Sequence, residues 1–237
     1  MRKEFVRTEN DRRFRDALAE KLNRAGFENS LLTVHGRAGD GKTRTLHNFA
    51  AGCNAVMVTG QPDWTMRRMM IDLAEALGMP TRGAWEKAVA EKIAAEEIPV
   101  VVDEAGFALR DNAVCIEKLR GITDKSGTLL IAVFMESDMA RLATFEQLTR
   151  RATMCHFKAS TLADVRAACA QLAEVEIAPD LVERIHKDSG ARMGLVIEAI
   201  KVAERMGAAL GRGSVCAADV STLVLCETFK TGRGAAA

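Results

Sequence analysis

A chain of 237 residues, 48% apolar and 27% charged, is long enough for one large domain or two small ones and has the make-up of an ordinary globular protein. Its formal net charge of +1 excludes a strong overall field for polyanions, so any nucleic-acid contact has to come from a local basic face. The six cysteines are scattered without a C-x-x-C pair and the four histidines are dispersed, so no zinc or dithiol redox motif is signalled and most cysteines read as small core residues.

The first residues, "MRKEFVRTENDRRFRDAL", are charged throughout, unlike a secretory leader, and no apolar run reaches membrane-spanning length. The expectation is a cytoplasmic protein with reduced thiols. "NDRRFRDALAEKLNRAG" predicts a helix, with Asn10 or Asp11 as its cap and Gly26 just past its end. Residues 1–29 are read as an N-terminal helical extension. Short apolar runs then alternate with helical segments. The runs are "LLTVH", "AVMVTG", "IPVVVDE", "TLLIAVFM" and "TMCHF". Nearly continuous apolar strands separated by helices predict an α/β domain over 30–159, with a parallel sheet covered on both faces.

The first of these runs leads into "HGRAGDGKTRT". Residues 36–43 fit G-x-x-x-x-G-K-[ST] in full, between a predicted strand and a predicted helix. Glycines let backbone N–H groups ring a phosphate, and the helix N-terminus behind them favours negative charge. Gly36, Arg37, Ala38, Gly39, Asp40, Gly41, Lys42, Thr43 and Arg44 are therefore assigned to a phosphate cradle. Lys42 reaches the β and γ oxygens of ATP, and the Thr43 hydroxyl is placed to ligate Mg²⁺.

"IPVVVDEAG" is an apolar strand ending in two carboxylates. A Mg²⁺·ATP site needs one carboxylate for the metal and its water shell, which is Asp103, and a base for the attacking water, which is Glu104. At the end of "LLIAVFMESD" a polar residue that senses the γ-phosphate is expected. Met135 stands in the first place for it, leaving Glu136 and Ser137 as candidates. Arg151, in "QLTRRATMCHF", is a candidate finger reaching a neighbouring subunit's nucleotide, ahead of Arg150. Arg192, in "SGARMGLVIEA", is a candidate reporter of nucleotide state. Beyond about residue 160 only helix-like segments follow, so residues 160–228 are read as a small all-helical lid and 229–237 as a flexible tail.

With "GRAGDGKT" and "VVVDEAG" in order, the chain resembles an AAA+ ATPase. Through "EKLRGITDKSGTLLIAVFMESDMARL" and "LTRRATMCHF" it is similar to the transposition ATPases of the Mu B, TniB and TnsC kind, over roughly residues 5–205. Phe134 departs from that pattern, standing where those relatives usually have glycine. Residues before 30 are short for an N-terminal DNA-binding domain such as Mu B carries, so on this resemblance a stripped-down version is expected, in which the AAA+ body contacts DNA itself. The resemblance implies an ATP-dependent homo-oligomer or helical filament on double-stranded DNA that captures target DNA and activates a transposase. In "WTMRRMM", Arg67 and Arg68 are the candidate phosphate-backbone contacts; Arg110, Lys118, Arg120 and Lys125 form a second basic group, and Trp64 is expected to pack. The rival readings are another AAA+ ATPase, such as a replication loader or a secretion-associated enzyme, and a P-loop small-molecule kinase.

Overall fold

The five apolar runs form the strands β1 (Leu31–Gly36), β2 (Val56–Thr59), β3 (Val100–Asp103), β4 (Leu130–Met135) and β5 (Thr153–His156). They make one parallel sheet in the order β2-β3-β4-β1-β5. Successive side chains of a strand point to opposite faces. Val100, Val102, Leu130, Ala132 and Phe134 accordingly join one buried cluster, while Val101, Ile131, Val133, Leu32 and Val34 join another. The inner strands β3 and β4, buried on both faces, are apolar at nearly every position, whereas the edge strands β2 and β5 leave alternate residues partly or fully exposed. The computed structural model describes residues 1–23 and 30–226, so the helix stop expected at Gly26 and the tail at 229–237 lie outside the described residues.

Helices α1 (Glu9–Asn23) and α2 (Lys42–Cys53) place Phe14, Ala17 and Leu46 on one face of the sheet. The other face is covered by α3 (Met66–Ala76), α4 (Trp85–Ala95) and α5 (Arg110–Ser126), through Met69, Leu73, Val89, Ile93, Ile116 and Leu119. Each fully buried side chain of this size contributes about 1.5–3 kcal/mol. Thr65 caps α3, its hydroxyl oxygen accepting a hydrogen bond from Arg68 N at 3.2 Å. Short helices α6 (Met139–Leu142) and α7 (Glu146–Thr149) connect β4 to β5.

The cap expected at Asn10 or Asp11 is displaced: the helix is already under way at Glu9, and both residues are buried inside it. Asn10 instead brackets two other segments. Its Nδ2 donates to Asp40 O at 3.2 Å and to Lys158 O at 2.7 Å, and its Oδ1 accepts from Lys158 N at 3.0 Å. The first residues do not form a piece of their own. The chain divides into two compact units, Asn10–Lys158 and Met1–Glu9 with the chain from Ala159 onward. Hydrophobic burial decides this, since Phe14 and Ala17 belong to the core of the larger unit and Val6 to that of the smaller.

The smaller unit holds α8 (Leu162–Leu172), β6 (Glu176–Ile177), α9 (Pro179–Asp188), α10 (Met193–Leu210) and β7 (Ser214–Val215). Thr161 and Asp164 form a capping box at the start of α8, as Asp164 N donates to Thr161 Oγ1 and Thr161 N to Asp164 Oδ2. Among its described residues the unit is helical but for one addition, the parallel pair of two-residue strands β6 and β7. Gly207 makes room for it: a Cβ there would lie 2.9 Å from Val175 Cγ1 and 3.1 Å from Val215 Cγ2. Among the described residues no helix is long and apolar enough to cross a membrane. All six cysteines are free thiols. Burial pushes Cys155 up to about 12 and Cys169 up to about 11, as for core thiols.

Candidate functional site

All five strands run the same way, so their C-terminal ends share one edge of the sheet, where open α/β sheets bind ligands. The loop 36–43 opens from that edge. A Cβ on Gly36 would lie 2.7 Å from Phe157 O, so only glycine lets β1 leave the sheet here. Gly39 (φ 87°) and Gly41 (φ 89°) take left-handed conformations that other residues adopt only under strain. Gly41 precedes α2 and no side chain caps that helix, so an anion would meet its first-turn N–H groups and the positive end of its dipole. Asp40 closes the loop upon itself, Oδ2 accepting from Arg37 N at 2.9 Å.

Lys42 is buried, and its Nζ donates to Gly36 O at 2.8 Å and Arg37 O at 2.9 Å, with Met135 Sδ at 3.7 Å. Burial lowers its pKa from the ordinary lysine value, against the raising effect of Asp40 and Asp103. A cation held by two neutral carbonyls gains by exchanging them for phosphate oxygens, because opposite charges attract more strongly than a charge and a carbonyl dipole.

The acidic pair lies beside this loop. Thr43 Oγ1 donates to Asp103 Oδ2 at 2.8 Å, and Glu104 N donates to Asp103 Oδ1 at 2.9 Å. The two oxygens suit Mg²⁺, which prefers hard oxygen donors and keeps several waters, and Thr43 and Asp103 are the residues that would hold it. Glu104 is exposed and sits in the left-handed region (φ 51°), an unusual conformation for glutamate. Gly60 packs against this turn: its N donates to Asp103 O at 2.8 Å, and a Cβ there would meet Glu104 O at 2.5 Å. The carboxylate is thereby turned out of the strand into solvent.

Phe134, in place of the glycine of the resembling proteins, is buried in the core. Met135 ends β4 with its thioether against Lys42, its N donating to Asp138 Oδ2 at 2.9 Å. Glu136 and Ser137 follow, both exposed, and Glu136 Oε2 lies 3.5 Å from His156 Nε2. Arg151 is exposed next to the start of β5, at the opposite edge of the sheet from the phosphate loop. A strand of this length separates the two edges by roughly 15 Å. Arg150 pairs with Glu146 at 3.1 Å. Arg192 lies in the smaller unit, exposed and directly before α10.

Arg67 and Arg68 are exposed on the first turn of α3, and Arg68 pairs with Asp72 at 3.0 Å. Trp64 packs into the core and its indole N–H donates to the same Asp72 at 2.7 Å. Arg110 stands over the Phe107 ring and donates to Pro62 O. Arg120 leaves the expected second basic group, being engaged by Glu117 at 2.7 Å and Asp124 at 2.6 Å within α5. The juxtaposition of His35, Glu136 and His156 was not foreseen from the sequence. The signal was a histidine near the end of two different apolar runs, informative only once the strands are known to be neighbours.

The sheet order, the phosphate loop after β1 and the acidic pair after β3 together define an AAA+ fold of the P-loop class. Solved structures agree on that fold. Cdc6p from Pyrobaculum aerophilum superposes with a TM-score of 0.66 at 18% identity, covering 93% of this chain and 68% of that one. A point mutant of RuvB from Thermotoga maritima gives 0.63 at 17% identity, covering 92% and 70%. Domain III of the Thermotoga maritima replication initiation protein DnaA gives 0.60 at 14% identity, covering 92% and 93%. No family model matches the chain. In sequence it is similar to the Mu-like prophage FluMu DNA transposition protein B of Haemophilus influenzae, 30% identical over 135 residues, or 54% of this chain. The match covers 45% of the length of that relative.

Proposed function

We propose that this protein is an ATPase of DNA transposition: it binds Mg²⁺·ATP, assembles on duplex DNA as an oligomer or helical filament, captures target DNA and activates a transposase. The observation that carries the ATPase reading is the contact of Thr43 with Asp103, which brings the loop and the acidic strand end into one place. The similarity to the FluMu transposition protein favours transposition over the replication-loader reading, because likeness to replication proteins is of fold alone.

The chemistry follows from the residues. The loop N–H groups and Lys42 bind and orient the phosphates. Mg²⁺, when bound at Thr43 and Asp103, supplies neutralisation of phosphate charge. Glu104 takes a proton from the attacking water at its carboxylate. Arg151, too far from its own loop, serves the nucleotide of a neighbouring subunit. The smaller unit, with Arg192, is assigned as the small helical domain of the AAA+ class. A net charge of +1 gives one subunit little hold on DNA, so affinity comes from many subunits each offering Arg67 and Arg68 to phosphates.

Fluorescence anisotropy of a labelled random-sequence duplex, with ATP, with ADP and without nucleotide, tests this. Tight, salt-sensitive binding only with ATP is expected, weakened alike on all sequences by the double substitution Arg67→Ala, Arg68→Ala. Equal affinity in all three states, or none at low salt, overturns the DNA reading and promotes the small-molecule kinase.

A further inference from the structure

His35, Glu136 and His156 stand together beside the phosphate loop, with no part in the chemistry above. Register brings them there: β1 and β5 pair with His35 opposite His156, and β1 and β4 pair with Gly36 opposite Met135, the residue before Glu136. One ligand-type atom from each residue lies within 4.8 Å of those of the other two. The imidazole rings stack with centroids 4.6 Å apart and planes 9° from parallel. His35 is 8% exposed, and its buried Nδ1 has no hydrogen-bond partner among the described residues. Burial first, then the neighbouring His156, lowers the pKa of His35 from the ordinary histidine value. Neutral imidazole is the form that binds metals.

We propose that His35, His156 and Glu136 form a site for one divalent transition-metal ion of the zinc class, separate from the Mg²⁺ position at Thr43 and Asp103. Two imidazoles and one carboxylate are a donor set suited to zinc and its first-row neighbours, leaving a position for water. Mg²⁺ is disfavoured there, because it demands oxygen donors. An imidazole lone pair lies in the plane of its ring, so two stacked rings meet one ion only if one of them turns. His156 is the ring that turns: its side chain is 46% exposed and Glu136 beside it is 50% exposed, whereas His35 is fixed by burial. The site adjoins Gly36, and His35 already senses the charge of Lys42.

The test uses reduced protein without a histidine tag, titrated with Zn²⁺ by calorimetry and with Co²⁺ by absorption. One saturable site per chain is expected, with visible Co²⁺ bands and no thiolate charge-transfer band. His156→Ala and Glu136→Gln, both at half-exposed positions, should each weaken it by at least about tenfold, the loss expected when a metal site is perturbed. Thermal unfolding of the same samples shows that the variants remain folded. No saturable binding, binding unchanged in His156→Ala, or a thiolate band from exposed Cys53 would overturn the proposal. ATP titration of the same variants reads the phosphate loop separately, so failure of the metal site and failure of the ATPase reading are distinguishable.

Discussion

Thr43 Oγ1 donates a 2.8 Å hydrogen bond to Asp103 Oδ2, joining the first turn of α2 to the end of β3. Thr43 and Asp103 are the residues that would hold a hard cation there, and it would supply neutralisation of phosphate charge. Asp103 is buried and also accepts from Glu104 N, so its carboxylate is aimed before any ligand arrives. Asp103→Asn keeps the shape but removes the charge. The expected result is ATP binding that no longer tightens when Mg²⁺ is added, measured by calorimetry with and without EDTA. A Mg²⁺ dependence equal to that of the wild type would move the metal elsewhere.

Lys42→Ala removes a cation that bonds to two loop carbonyls and would bond to phosphate. Hydrogen bonds to charged groups contribute about 1.5–3 kcal/mol, so ATP affinity should drop roughly 10- to 150-fold. Calorimetric affinity within threefold of the wild type would refute the assignment of the loop.

Glu104→Gln should bind ATP normally and hydrolyse it about 10²- to 10⁴-fold more slowly, since an amide takes no proton from water. Phosphate release under multiple-turnover conditions is the measurement. Turnover at the wild-type rate would mean that another group is the base.

Arg151 lies at the far edge of the sheet from its own phosphate loop. Arg151→Ala should therefore leave ATP binding by monomers intact while lowering hydrolysis by the order of 10³-fold or more. Mixing it with Lys42→Ala should restore part of the activity, because each variant supplies what its neighbour lacks. Loss of ATP binding by Arg151→Ala, together with no rescue in the mixture, would refute action across a subunit interface.

Gly36→Ala places a methyl group 2.7 Å from Phe157 O. Overpacking of this kind costs about 1–3 kcal/mol, so a lower Tm and weakened ATP binding are expected together. An unchanged Tm in differential scanning calorimetry would show that the strand exit gives way more easily than its packing implies.

The glycine-bearing loop before α2, the acidic strand end and the doubly covered sheet could be read from the amino-acid order alone. Each is written in contiguous residues: glycines at positions needing unusual backbone angles, a lysine and threonine at the helix start, unbroken apolar runs where both faces are buried. Helix α1 was equally legible, but its beginning was not, because Asn10 serves Asp40 and Lys158 rather than the helix end. Arg120 reads as one more basic residue in the sequence, yet Glu117 and Asp124 engage it from either side. Tertiary structure alone decided that His35, Glu136 and His156 meet, and that Met135 lies against Lys42. Those relationships depend on which strands are neighbours and in what register, and a shift of one residue would turn every side chain concerned to the opposite face.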